Sequence, residues 1–160
     1  MKAMARTPVS KTERPANPVQ VIDTSYLESL MGYNARRAAL VIIGEFMTQM
    51  SVYGVRPVDF SVLCLIADNA GITSRQLCAT LGLLPPNLVG MINQLEGREL
   101  ILRRPHPTDG RAVGLHLSVK GRKLVRDGKQ TATALEAQAI AKLTATESKT
   151  LMRLLQKIYH

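Results

Sequence analysis

The chain has 160 residues, 46% hydrophobic and only 4% aromatic, with no tryptophan, a formal charge of +9 and a pI near 10.0. That length suits one compact domain or one protomer of an obligate oligomer, and a core of leucine, valine, isoleucine, alanine and methionine favours helices over a sandwich of strands. No segment has the uninterrupted apolar length to span a bilayer and the start lacks a signal-peptide core, so a cytoplasmic protein without a membrane partner is expected, with a polyanion as a plausible partner for the charge.

Residues 1–22 carry three prolines and, over the first twenty, a net charge of +3, which predicts a mobile arm. A long helix is expected next, from "DTSYLESL", where Ser25 and Glu28 have capping-box spacing, to Gly54. Leu27, Leu30, Met31, Leu40, Val41, Ile43, Phe46, Met47 and Met50 fall on more than one of its faces, so a partner subunit is the natural cover. Pro57 opens the following helix, "PVDFSVLCLIADNAG", which is expected to close on its glycine. Cys64 and Cys78 lie in apolar helical patterns without metal-ligand spacing and read as inert thiols.

"ITSRQLCATLGLLPPNLVGMINQLEGREL" is the most informative stretch. Thr73 and Gln76 form a capping box, with Ile72 and Leu77 placed as a hydrophobic staple. That helix runs to about Leu81, turns at Gly82, and a second opens on Pro85 and Pro86, so the pair reads as a helix-turn-helix. Leu88, Ile92 and Leu95 share one face of the second helix, leaving Asn87, Gly90, Met91, Gln94 and Arg98 on the other. Asparagine and glutamine pair with an adenine edge, and a glycine permits close approach.

"LILRR" and "AVGLHLS" follow as paired short strands, with Val113, Leu115 and Leu117 alternating against Gly114, His116 and Ser118. His116 is expected to face outward, and Pro105 and Pro107 are assigned to the connecting loop. From Arg98 to Arg126 eight basic residues oppose only Glu99 and Asp109, a local net of +6, whereas residues 21–97 carry −2. The positive field is therefore concentrated around this hairpin, where a basic, proline-stiffened loop suits a wing reaching for a minor groove. A long helix from Ser118 follows, weakened by Gly121 and Gly128. The last helix opens at Thr144 with Glu147 in capping-box spacing and carries Leu151, Leu154, Leu155 and Ile158 as one stripe.

In "DGRAVGLHLSVKG" (Asp109, Arg111, Leu115, Leu117, Ser118, Gly121) and in "LTATESKTLMRLLQKI" the sequence resembles the MarR family of bacterial winged-helix regulators, over about residues 24 to 160. The resemblance implies a mainly α fold with a small β-hairpin. A winged helix-turn-helix lobe would span residues 55–118, and a helical dimerisation region residues 23–54 and 119–160. It implies a homodimer on a pseudopalindromic double-stranded DNA operator, most often a repressor released by a small aromatic acid, phenol or related thioester. The helix from Pro85 to Arg98, including Pro86, would enter the major groove. The wing, with Arg103, Arg104 and His106, would bring Arg111 to the minor groove, held by Asp109. Thr73, Ser74 and Arg75 at a helix start would hold a phosphate.

For the effector, Arg36 and Arg37 near Tyr33 could clamp a carboxylate, with Tyr53 a weaker candidate. No nucleophile constellation, metal-ligand spacing or glycine-rich phosphate loop is legible, so no catalysis, metal or cofactor is expected. The competing reading is a winged-helix module for RNA or protein, without a ligand response.

Overall fold

The computed structural model describes residues 22–105 and 113–159. The expected arm, apart from Ile22, and the expectations for His106, Asp109 and Arg111 lie outside the described residues. The chain divides into two compact units between Ala35 and Arg36.

In the first unit the single long helix is corrected to two. Helix α1 (Ser25–Glu28) stops at Ser29, and α2 (Met31–Gln49) begins after Leu30. Ser25 and Glu28 make no capping box. Instead the Thr24 hydroxyl donates to Glu28 at 2.6 Å, and Asp23 accepts from the Ser25 amide at 2.9 Å. The Ser29 hydroxyl donates to the Tyr26 carbonyl, and the Asn34 amide donates to the carbonyls of Glu28 and Leu30. The Asn34 side chain thus satisfies the Glu28 carbonyl, which a continuous helix would pair with a backbone amide of its own.

In the second unit α2 runs into a 3₁₀ turn, Met50–Tyr53, that ends at Gly54. Helix α3 (Pro57–Asp68) has proline in its first turn as expected and places Phe60, Val62, Leu63 and Ile66 in the core. It does not close on its glycine. The Asn69 backbone and side-chain amides both donate to the Leu65 carbonyl, and Gly71 lies beyond the cap, with its N–H on Leu115 at 2.8 Å. Cys64 and Cys78 are free and half-buried, and burial pushes the Cys64 thiol up, away from thiolate chemistry.

Asp59 is a buried carboxylate at the start of α3. It accepts the Arg56 backbone N–H at 3.2 Å and the Arg56 guanidinium at 2.8 and 2.9 Å. Burial pushes this carboxyl up, but the Arg56 hydrogen bonds and the charges of Arg56 and Arg98 outweigh it and hold it below the usual range. A depressed folded-state value means stability present above the unfolded value and lost as pH falls through the folded one. Asp59→Asn is expected to cost about 2 kcal/mol near neutral pH and progressively less as pH falls below the usual carboxylate range. Urea melts at about pH 7 and about pH 3 check this; an equal loss at both would refute it.

Strand β1 (Ile72–Thr73), helix α4 (Ser74–Leu81) and helix α5 (Pro85–Gly97) follow. The Thr73–Gln76 capping box forms, Gly82 makes the turn at φ 63°, and Leu88, Ile92 and Leu95 are buried. Strands β2 (Ile101–Pro105) and β3 (Val113–Leu117) pair antiparallel, and β1 adds to β3, giving the order β1-β3-β2. The hairpin is thus a three-stranded sheet. Two-residue β1 was not expected, because it is too short to show alternation. Pro105 ends β2 opposite Val113 instead of opening the loop, which the edge position of β2 tolerates.

Helix α6 (Val119–Ala139) is capped by Ser118, whose hydroxyl accepts from the Gly121 amide at 2.9 Å. Gly121 and Gly128 are points of close approach, not weak points: an added Cβ would lie 2.0 Å from the Leu100 carbonyl oxygen or 2.7 Å from the Phe60 ring. Helix α7 (Ala145–Tyr159) has its expected box between Thr144 and Glu147, and the Thr144 hydrogen bonds hold the Glu147 carboxyl below its usual range. The core gathers α3, α4, α5, the sheet and α6, while α2 and α7 contain no buried residue. Among the described residues no single helix is long and apolar enough to cross a membrane, and no cluster of metal-ligating side chains is found.

Candidate nucleic-acid interface

Helix α5 buries its leucine and isoleucine stripe and turns Pro86, Asn87, Gly90 and Gln94 outward. Asn87, Gly90, Met91 and Gln94 border one surface depression, so four residues chosen from helical periodicity form one contiguous patch. The fifth member of that depression, Arg56, escaped the sequence reading. It precedes a proline some thirty positions upstream, and only tertiary packing brings it to α5. Its guanidinium is half-exposed and braced by Asp59.

Arg98 does not share this face, which corrects its expected outward position. Its guanidinium donates to the carbonyls of Gly54 at 2.6 Å and Tyr53 at 2.9 Å. The reason is its location at the C-cap of α5, where the side chain reaches back to the end of the 3₁₀ turn. The same end of α5 is latched from the other side. Lys120 donates to the Arg98 carbonyl at 2.9 Å, and the Ser118 hydroxyl donates to the Glu99 carbonyl at 2.6 Å. Glu99 itself takes a left-handed φ of 59°, which turns the chain from α5 into β2. The end of α5 is thereby tied both to the end of the 3₁₀ turn and to the start of α6.

Arg103 is likewise engaged within the fold. It pairs with Glu96 at 3.0 Å and donates to Asn93, bracing β2 against α5. Arg104, one residue on, points to the opposite face of the sheet, because side chains alternate along a strand. His116 sits on that same face, half-buried instead of freely exposed. At the start of α4 the Thr73 hydroxyl both accepts from the Gln76 amide and donates to the Gln76 side chain, so it is closed into the cap. Ser74 and Arg75 remain exposed in the first turn.

Tyr33, Arg36 and Arg37 do not line the apolar cavity that described residues form between α2, α3 and α6. Arg36 and Arg37 are exposed on α2, and the Tyr53 hydroxyl hydrogen-bonds Thr131 at 3.0 Å. That cavity has a volume of about 280 Å³. It lies between α2, α3 and α6, where Phe46 and Phe60 stand 5.8 Å apart beside Ile43 and Leu135, with Glu136 at its edge.

A short, tightly capped helix, a three-residue turn, an outward-facing second helix and an antiparallel hairpin define a winged helix-turn-helix. The chain belongs to the MarR family of DNA-binding transcriptional regulators, whose family model matches residues 55–113. It is similar to the transcriptional repressor CouR in a structure bound to a 23-mer DNA duplex: TM-score 0.80 and 30% identity, over 88% of this chain and 99% of that one. CouR from Rhodococcus jostii RHA1 bound to p-coumaroyl-CoA gives 0.76 and 28%, over 82% and 93%. The HTH-type transcriptional repressor Rv2887 of Mycobacterium tuberculosis is 24% identical, over 80% of this chain and 92% of that protein. The class is that of regulators, not enzymes.

Proposed function

We propose that the protein is a cytoplasmic homodimeric repressor that holds a pseudopalindromic operator and is released by a small aromatic effector. The observation that carries this reading is the patch of Asn87, Gly90, Met91 and Gln94 on a helix whose far end is tied to the end of the 3₁₀ turn and to the start of α6. Amides on the patch offer donor and acceptor pairs to base edges, and Gly90, with no atom within 4 Å of where a Cβ would be, lets the backbone approach. Ser74 and Arg75 hold a phosphate, and Arg111 enters the minor groove with Asp109 beside it. CouR's complex with a duplex supports the same use of the fold in this chain. The ties at Arg98, Ser118 and Lys120 make any change in the spacing of the dimer a change in the aim of α5.

The effector enters the cavity between α2, α3 and α6, with its ring against Phe46 and Phe60. Glu136 at the rim repels a free carboxylate, which favours the phenol or the thioester among the three classes. CouR's complex with p-coumaroyl-CoA supports an aromatic thioester.

The test is a mobility-shift titration on a duplex selected by the protein and on its scrambled counterpart. Asn87→Ala is expected to lose about 1–3 kcal/mol on the selected duplex and little on the scrambled one. Arg111→Ala is expected to weaken selected binding by roughly tenfold with the dimer intact. Equal losses on both duplexes for Asn87→Ala would remove α5 from base reading. Preference for structured RNA over any duplex would favour the interaction-module alternative.

A further inference from the structure

A second cavity, of about 490 Å³, lies between the C-terminal half of α3, the sheet and the first half of α6. That size takes a small organic molecule. Its floor is apolar, made by Ile66, Ala67, Ala70, Leu117 and Val125, and its rim is cationic. Arg122, Arg126 and Lys129 reach the rim from α6, where spacings of three and four put them on one face. Arg104 and His116 reach it from the sheet. They stand opposite Gly114 and Leu102 on the strand face turned away from Arg103, and Arg103 is the residue braced against α5. The cavity therefore opens away from the base-reading patch and is separate from the apolar cavity of the effector.

The charge on the rim is only partly balanced within the fold. Lys129 pairs with Asp68 at 2.9 Å, and Arg126 with Asp127 at 3.0 Å. Arg122 gives one N–H to the neutral Leu117 carbonyl at 3.0 Å, and among the described residues no ion pair includes Arg122 or Arg104. Among the described residues, then, two guanidinium groups beside an apolar floor have no carboxylate partner. A monocarboxylate would answer one of them. A phosphate monoester, with a charge of about −1.5 to −2 near neutral pH and three acceptor oxygens, answers both, and arginine grips such oxygens in pairs.

We propose that this cavity binds a small organic phosphate, with the phosphate between Arg104 and Arg122 and the flat apolar part of the ester on Ile66, Ala70 and Val125. A molecule held there touches α3, the strand that leads into residues 106–112 and the helix that follows the sheet, so its occupancy braces the hairpin against α6. The site does not depend on the proposed aromatic effector.

Isothermal titration of the full chain with phenyl phosphate, inorganic phosphate and benzoate tests it. The expected result is saturable binding of phenyl phosphate at one per protomer, at least about tenfold tighter than inorganic phosphate or benzoate. Arg122→Gln is expected to weaken it by about tenfold while leaving duplex affinity unchanged. Arg104→Gln, on an exposed strand position, repeats the ligand measurement should Arg122→Gln disturb folding. Failure to saturate below about 1 mM, or binding indifferent to both substitutions, would overturn the proposal. So would a lowered duplex affinity and salt slope in Arg122→Gln without phenyl phosphate binding, because the rim would then serve the DNA backbone.

Discussion

Gly121→Ala is expected to destabilise the protein by about 3 kcal/mol or more, among the largest effects of any single methyl group in this chain. The added carbon would lie 2.0 Å from the Leu100 carbonyl oxygen and 3.0 Å from its carbon, and both atoms are backbone, so no rotamer change relieves the contact. Helix α6 would have to move away from the turn that joins α5 to β2. That motion would stretch the bond from the Ser118 amide to Leu100 at 3.0 Å and those of Ser118 and Lys120 to Glu99 and Arg98. Because these bonds also aim α5, duplex affinity should fall with stability. Gly97→Ala is the control: it lies in open space at the end of α5, and its effect on a urea melt should be within about 1 kcal/mol of neutral. Similar melts for both variants would show that α6 moves freely on the sheet.

Leu155→Asp is expected to convert the proposed dimer to a monomer and lower operator affinity by about 10²–10⁴-fold, the advantage that a second linked half-site supplies. The argument is one of uncovered surface. Leu151, Leu154, Leu155 and Ile158 form one stripe on α7, each between 41% and 68% exposed, and Leu40, Val41, Ile43 and Met47 are similarly open on α2. Apolar surface this extensive marks an association site. An aspartate on the stripe would carry its charge into a dry interface without a partner. Light scattering reads the mass and a mobility shift reads the affinity; a dimer that persists with unchanged affinity would place the subunit contact elsewhere.

Local chemistry was legible in the sequence at most of the places where a few adjacent residues decide the outcome. The box at Thr73 and Gln76, the turn at Gly82, the proline start at Pro85, the buried stripe of Leu88, Ile92 and Leu95, and the box at Thr144 and Glu147 all stand as read. Periodicity also gathered Asn87, Gly90, Met91 and Gln94 correctly into one patch. What was not legible depends on where long side chains travel. Arg98 and Arg103 carry charge in the expected region, yet each is drawn to partners within the fold, two carbonyls for one and a carboxylate for the other. Arg56 and the basic cavity are brought together by packing between segments far apart in sequence. The break after Glu28 escaped notice because serine and asparagine compete locally for helix carbonyls, an effect that a capping-box pattern does not reveal.

The most direct measurement is DNA cleavage by a chelated iron tethered at Gly90, using a Gly90→Cys variant with Cys64 and Cys78 replaced, on a duplex selected by the unmodified protein. Two cleavage clusters related by the symmetry of an inverted repeat, and separated by about 10 base pairs or a multiple of it, are the predicted result. Cleavage at one place only, or spread evenly along the duplex, would contradict it, because α5 would then not be the element that two copies of the chain set into the major groove.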